Sequence, residues 1–523
     1  MSKANLISLN RILLALTAAT TLLLGGMILK TTTDWGPSKD AQRYEVVSRN
    51  LVDGNGLGLA GMPEVIFSPG YPIILAPFIA AGLSPAGATS ALTWISFAAF
   101  VGIVYYGVAK RYDKRTGAIS AFAIATCGAL QIASLDAAAE VIMLPFLAGG
   151  IVAMHSKAWR HQLFAGMLFA VGYLVKPEML AYVGLAIAFM FLVEKTGRSW
   201  RILLRLLLPT LFALVGYAGF IYAETGTIAI SGKSALIRTA QWVENPQYHY
   251  DAETYRLNSD MTIGIKPGEA NLGSIYWPKR IWYNLIALDH LLPVVLFPVG
   301  IVFAALVISL IKLRSLRREA MFFAALTAPL GIGVFLFYQQ RYLLPLVLAV
   351  TLLLGFAAAG FLREKTKRLK YLAALPISAL ILLNFAPWLK GGVDEHLITA
   401  VASRSFVDEV TPLLSEYRTI VSRTPTYSYL LGKDYSPIPY SYNVGNSLRY
   451  LRGLDRPVIV LDEWATKPNP TTDYFRKKYH LANTAKVIID PVTNRITRIG
   501  RVRQETVPTP TYPKHIRRAQ GIR

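Results

Sequence analysis

Cysteine is almost absent from this 523-residue chain: Cys127 stands alone, so no intramolecular disulfide can form and no cysteine-rich zinc cluster can be built. Charge is scarce as well. Only 16% of the residues are Asp, Glu, Lys or Arg, whereas an ordinary soluble domain has about a quarter. Acidic residues are the scarcer sign, 31 against 54 basic, giving a net charge of +23. The seven histidines are scattered, with no HExxH spacing, and the carboxylates form no DxD pair. These shortages argue against a soluble enzyme, a disulfide-stapled secreted domain and a protein built around a sequence-local metal motif.

What is abundant is apolar sequence. Hydrophobic residues make up 53% of the chain and the mean hydropathy is +0.40. Runs long enough to cross a bilayer, roughly 17 to 25 residues, fall near 11–29, 87–109, 117–134, 137–155, 161–175, 177–193, 201–223, 290–311, 319–338, 342–361 and 371–388. They predict an α-helical polytopic membrane protein with about eleven transmembrane helices, two of them short. The first run follows Lys3 and Arg11, but its length and the lack of a small-residue cleavage pattern after Met27 predict a retained anchor. Cys127 falls within a span, as a small core residue.

Orientation follows from the basic residues. The connectors 110–115, 155–161, 194–201, 312–319 and 363–370 hold 18 lysines and arginines, while the alternate short connectors hold only Lys176 and Arg341. The positive-inside rule makes the first set cytoplasmic. Counting the apolar run 71–82 as a span would invert every later connector, so it reads as a helix at the outer interface with Tyr71 near the headgroups. The excess positive charge is thus partly topological, and anionic membrane lipids, not nucleic acid, are the partner it implies.

The predicted division is a membrane module over 1–388 with outer loops 30–86 and 224–289, a small C-terminal α/β soluble domain over 389–505, and a basic, proline-containing tail over 506–523 expected to be disordered. Strands are predicted at 419–423, 457–464, 486–490 and 496–502, with a turn at 490–495 and a helix over 394–416.

On this topology Asp40, Arg43, Asp136, Glu140, Lys176, Glu178 and Arg341 gather on the outer side, where an ionisable group at the membrane edge marks function by default. Each has a plainer reading. In DAQRYEVVSRNLVDGNG (40–56), Asp40, Tyr44 and Val47 share a helical face with Arg43 beside them, and Gly54 and Gly56 end the helix. Asp40 there is either a general base or an N-cap. Asp136 and Glu140 suit the start of the next helix, Lys176 and Glu178 flank Pro177 at a turn, and Arg341 with Tyr342 suits a headgroup anchor. In the second loop Trp242, Tyr276, Trp277, Trp282 and Tyr283, with Lys233, Lys279 and Arg280, suit either a carbohydrate cleft or an interfacial belt.

DAQRY followed by FSPGYP (67–72) resembles the first extracytoplasmic loop of the GT-C glycosyltransferases that use polyprenyl-phosphate sugars, including protein O-mannosyltransferases and lipid A aminoarabinose transferases. The resemblance extends through SLDAAAE (134–140), GYLVKPE (172–178) and RYLLP (341–345), over roughly residues 10–390. It implies that Asp40 is the catalytic base, that Arg43 contacts the donor phosphate, and that Asp136 or Glu140 and Lys176 occupy the family's acidic and basic outer positions. Ser68 stands where the aminoarabinose branch has lysine, and Asp40 lacks the Asp-Glu pairing of the mannosyltransferases; both departures concern the substrate more than the reaction.

The chemistry fits these residue types. A lipid phosphate leaves readily, so the reaction needs a base for the incoming hydroxyl and cations for the departing charge. Asp40 is assigned the first role, Arg43, Lys176 and Arg341 the second, and Tyr44, Tyr71, Asp136, Glu140, Glu178 and Tyr342 are assigned to substrate binding. The expected reaction moves a sugar from a polyprenyl phosphate to a glycan, glycolipid or protein with inversion. No cofactor is required, though carboxylates meeting in space leave room for a divalent cation. The opposing class is a lipid-linked sugar transporter or flippase, which needs polar groups through the bilayer; spans such as 201–223 and 290–311 have almost none at mid-depth.

Overall fold

The computed structural model describes residues 3–232, 301–389 and 409–498, except 35, 60–61, 66, 194–199, 227, 314–315, 337–343, 365, 423–425, 440–442, 462–468 and 482–486. The chain divides into two compact units, one of Met1–Thr32, Thr89–Gly216 and Arg280–Glu395, the other of Thr33–Ala88, Tyr217–Lys279 and His396–Arg523.

The first unit is helical. Its elements are most of α1 (Lys3–Asp34), most of α4 (Pro85–Arg111), α5 (Lys114–Ala125), α6 (Gly128–Leu135), α7 (Ala139–Met154), α8 (Trp159–Val175), α9 (Met179–Leu192), most of α10 (Trp200–Thr225), α11 (Ile301–Lys312), α12 (Leu316–Leu336), α13 (Leu344–Arg363) and α14 (Ala374–Leu389). Among the described residues four helices are long and apolar enough to cross a membrane: Leu9–Thr33, Pro85–Arg111, Trp200–Glu224 and Leu344–Arg363. Exposed apolar side chains such as Leu23, Phe212 and Phe303 suit hydrocarbon, not water, as the solvent around it. The protein is an integral membrane protein.

The expected count of about eleven spans is not reached among these residues: 290–300 and 337–338, parts of two expected runs, lie outside them, and three other runs depart for physical reasons. The runs 137–155 and 177–193 form helices of 16 and 14 residues, shorter than the roughly 20 a full crossing takes. The run 117–134 is not one helix: α5 and α6 meet at a 50° bend. Cys127 at the break has an extended backbone (ψ 106°) and is fully buried. Carbonyls freed by a break in an apolar interior must find donors, and they do. Gln131 donates to the Ala125 carbonyl (2.8 Å), and Asn384 on α14 donates to Thr126 Oγ1 (3.0 Å) and the Ala123 carbonyl (3.4 Å).

Close helix packing depends on missing side chains. A Cβ on Gly150 of α7 would overlap the Phe169 ring of α8, and one on Gly166 would lie 2.5 Å from the Arg205 carbonyl of α10.

The second unit contains α2 (Lys39–Val52), a two-stranded hairpin of β1 (Gly58–Leu59) and β2 (Met62–Pro63), α3 (Gly70–Ala80) and a five-stranded sheet. The sheet strands are β3 (Thr419–Ser422), β4 (Asp434–Pro437), β5 (Pro457–Leu461), β6 (Val487–Ile489) and β7 (Ile496–Arg498), in the order β4-β3-β5-β6-β7. β3 pairs in parallel with both β4 and β5, while β5-β6 and β6-β7 are antiparallel. Four strands lie inside the four predicted stretches. β4 was not predicted, because DYSP carries none of the apolar periodicity by which strands are recognised. Of the helix expected over 394–416, residues 409–414 are helical and 394–408 lie outside the described residues. The sheet is covered on both faces, by one cluster around Val410, Leu414 and Tyr427 and another around Leu451 and Phe475.

Candidate active site

The first set of predicted residues lies on α2. Ser38, not Asp40, caps this helix, accepting from the Ala41 N–H at 3.4 Å. Asp40 sits within the first turn, half-exposed, where the helix dipole favours a negative charge. The capping alternative for Asp40 is therefore removed. α2 ends at Val52, and Gly54 and Gly56 follow with φ of +79° and +74°, as expected of a glycine-terminated helix.

Arg43 is buried and held by a carboxylate that sequence reasoning missed. Its Nε donates to Glu64 Oε2 at 2.7 Å, and Nη2 lies 2.6 Å from the same oxygen. The other Glu64 oxygen accepts the Phe67 N–H at 3.0 Å. The guanidinium also sits 4.6 Å from the Phe67 ring centroid. Twenty-one residues separate the partners; the one hint in the sequence was a lone acidic residue in the apolar stretch GMPEVIFSPGYP.

Tyr44 and Tyr71 are brought together, their rings stacked 4.4 Å apart at an interplanar angle of 7°, with Phe67 edge-on to Tyr44 at 5.3 Å. Tyr71 does not reach outward to headgroups: it has no exposed surface, because α3 packs its first turn against α2. At 11 residues α3 is too short to span.

Glu45, beside Tyr44, is also fully buried. Burial pushes its carboxyl up to about 7, against the opposing effect of Arg49, whose Nε is 2.7 Å away.

The second set lies where α6, α7, α8 and α9 end or begin. Asp136 is the C-terminal cap residue of α6, and Ala138 occupies the cap position of α7, so Asp136 does not cap the following helix. Ala137 between them has φ +50°, the left-handed conformation that lets the chain reverse. Glu140 is in the first turn of α7, and Lys176 is the residue at which α8 leaves helical geometry. These two form a buried ion pair spanning 36 residues of sequence. Glu178 is exposed at the start of α9, and buried Tyr182 feels the charges of Lys176, Glu178 and Glu140.

Thus the predicted ionisable residues form two described clusters, one in each unit, and both buried cations are neutralised by carboxylates. Arg341, Tyr342 and the second-loop aromatics and cations from Lys233 to Tyr283 lie outside the described residues. Among the described residues no three of His, Cys, Asp and Glu gather as metal ligands.

The chain is similar in structure to ArnT from Cupriavidus metallidurans: the apo form matches with a TM-score of 0.55 over 89% of this chain and 94% of that one, at 13% identity. The form bound to undecaprenyl phosphate matches with the same score and identity over 93% of this chain and 97% of that one. The chain has the GT-C fold. An oligosaccharyltransferase of Archaeoglobus fulgidus matches with a TM-score of 0.47 at 12% identity, over 93% of this chain and 75% of that one. No family profile and no curated protein matches this chain.

Proposed function

We propose that the chain is an inverting glycosyltransferase that takes a sugar from a polyprenyl phosphate and attaches it to a hydroxyl of a glycan, glycolipid or protein at the extracytoplasmic membrane face. The observation that carries this reading is the likeness to ArnT along nearly the whole of both chains, including the form bound to undecaprenyl phosphate. The half-exposed Asp40 in the first turn of α2 supports it.

In the proposed step the acceptor oxygen attacks the anomeric carbon as Asp40 takes its proton, and the bond from that carbon to the phosphate oxygen breaks. The products are the glycosylated acceptor and free polyprenyl phosphate; attack from the face opposite the leaving group inverts the centre. A base in this role contributes about 10² to 10⁴ in rate. Lys176 and Arg341 are assigned to the departing phosphate, with Arg43 held in orientation by Glu64. Tyr44 and Tyr71 shape the wall beside that arginine, and Asp136, Glu140, Glu178 and Tyr342 are assigned to the substrate's polar groups. The step needs no metal.

The test is transfer of labelled sugar from a polyprenyl phosphate by purified Asp40→Asn. A loss of about 10²-fold or more in a variant that elutes and melts like the parent is expected. Undiminished transfer would remove Asp40 as the base, and movement of intact labelled lipid across vesicles without transfer would favour the flippase reading.

A further inference from the structure

A cavity of about 400 Å³ lies inside the helical unit, among α4, α7, α9, α12 and α13. The size suits a bound organic molecule. Its walls are apolar, with Phe100, Leu144, Ala148, Leu348 and Phe356 among them. Its polar residues are confined to one end: Lys110 and Arg111 close α4, Tyr112 follows, His155 follows α7, and Arg318 and Glu319 open α12. Glu319, the one acid there, accepts from Tyr112 and from Arg111 at 3.3 Å. Lys110, Arg111, Arg318 and His155 are exposed at this mouth.

The mouth is remote from the Glu140–Lys176 pair. Glu140 is in the first turn of α7 and His155 follows its last, some 22 Å along the axis at 1.5 Å per residue. The α4 wall runs from Phe100 to Arg111, about 17 Å by the same rise, close to half of a hydrocarbon core of about 30 Å.

An apolar tunnel one leaflet deep with a cationic rim has the chemistry of a phospholipid: an acyl chain for the walls and a phosphate for the rim. We propose that this cavity is a binding site for an anionic glycerophospholipid, one acyl chain between α4, α7 and α13 and the phosphate at Lys110 and Arg318. The polyprenyl chain of a sugar donor is the less fitting occupant, since its phosphate would lie at the end of the bundle away from Glu140 and Lys176. The site is independent of the transfer reaction proposed above.

Native mass spectrometry of the full-length protein in detergent, titrated with phosphatidylglycerol or phosphatidylcholine, tests this. One phosphatidylglycerol is expected to stay bound at roughly tenfold lower concentration than phosphatidylcholine. Ala148→Phe, which fills the cavity, should abolish that binding, and Lys110→Ala with Arg318→Ala should equalise the two lipids. Phosphatidylglycerol with a diazirine in its acyl chain, used on the unaltered protein, should label peptides containing 144–152 and 345–356. Equal binding of both lipids by the unaltered protein, unchanged binding by a folded Ala148→Phe variant, or labelling confined to other helices would overturn the proposal. So would displacement of phosphatidylglycerol from this cavity by undecaprenyl phosphate at equal concentration.

Discussion

Lys176 and Glu140 are opposite charges buried in the same unit, and burial changes what each means. Removing one partner leaves the other uncompensated, at about 3 to 5 kcal/mol, whereas removing both in favour of apolar groups is often neutral. Lys176→Met alone should therefore lower the thermal unfolding midpoint sharply, and Lys176→Met with Glu140→Leu should restore it. If Lys176 also binds phosphate, the stable double variant will still lack transfer; recovery of activity along with stability would make the pair purely structural. Glu45 presents a titration instead. Its carboxyl is raised from the usual 4.5 to about 7 by burial, so the protonated form is the one the fold favours. The sign follows: its contribution to stability is fully present below about 4.5 and is lost as pH rises through about 7. Glu45→Gln should raise the unfolding midpoint at pH 8 more than at pH 5. An equal change at both would show that burial does not perturb this group.

At the level of elements, the broken span is the feature hydropathy could not reveal. Residues 117–134 are apolar enough to read as one crossing, since hydropathy sums side chains and is blind to where backbone hydrogen bonds stop. The break shows in the hydrogen bonding, where Gln131 satisfies the Ala125 carbonyl. Gln131→Leu keeps the approximate size but removes the amide donor, leaving the carbonyl of the fully buried Ala125 short of that partner. A loss of about 1 to 3 kcal/mol is expected, read as a lower unfolding midpoint in detergent; an unchanged midpoint would mean the bend is held by packing alone. α2 shows the reverse case. Its boundaries were legible, from the polar start to the glycines that end it, because capping and positive φ are local requirements. Which residue caps it was not, since Ser38 and Asp40 are both competent and only the backbone path chooses.

For the whole molecule, the proposed orientation rests on eighteen basic residues in five connectors. Single-cysteine labelling checks it: with Cys127→Ala as background, Arg317→Cys should react with an impermeant maleimide only after the membrane is opened, and Glu416→Cys should react in intact cells. The opposite pattern would reverse the topology and place the sheet on the other face. The structural grouping also departs from linear order within the second unit. Gln42 accepts from Thr426 at 2.8 Å across 384 residues, and Tyr435 joins Val46, Val47 and Leu59 in one apolar cluster. By itself the sequence determined the membrane class, most helix and strand positions and the candidate carboxylates and cations, because hydropathy, periodicity and turn chemistry are properties of neighbouring residues. Only the tertiary structure decided that Arg43 belongs to Glu64 and Lys176 to Glu140, that one span is bent, and that a lined cavity opens beside Lys110 and Arg318. Each of those requires residues far apart in the chain to meet, and the free energy that selects the partner, the desolvation of a buried charge or carbonyl, exists only once the surrounding helices have excluded water.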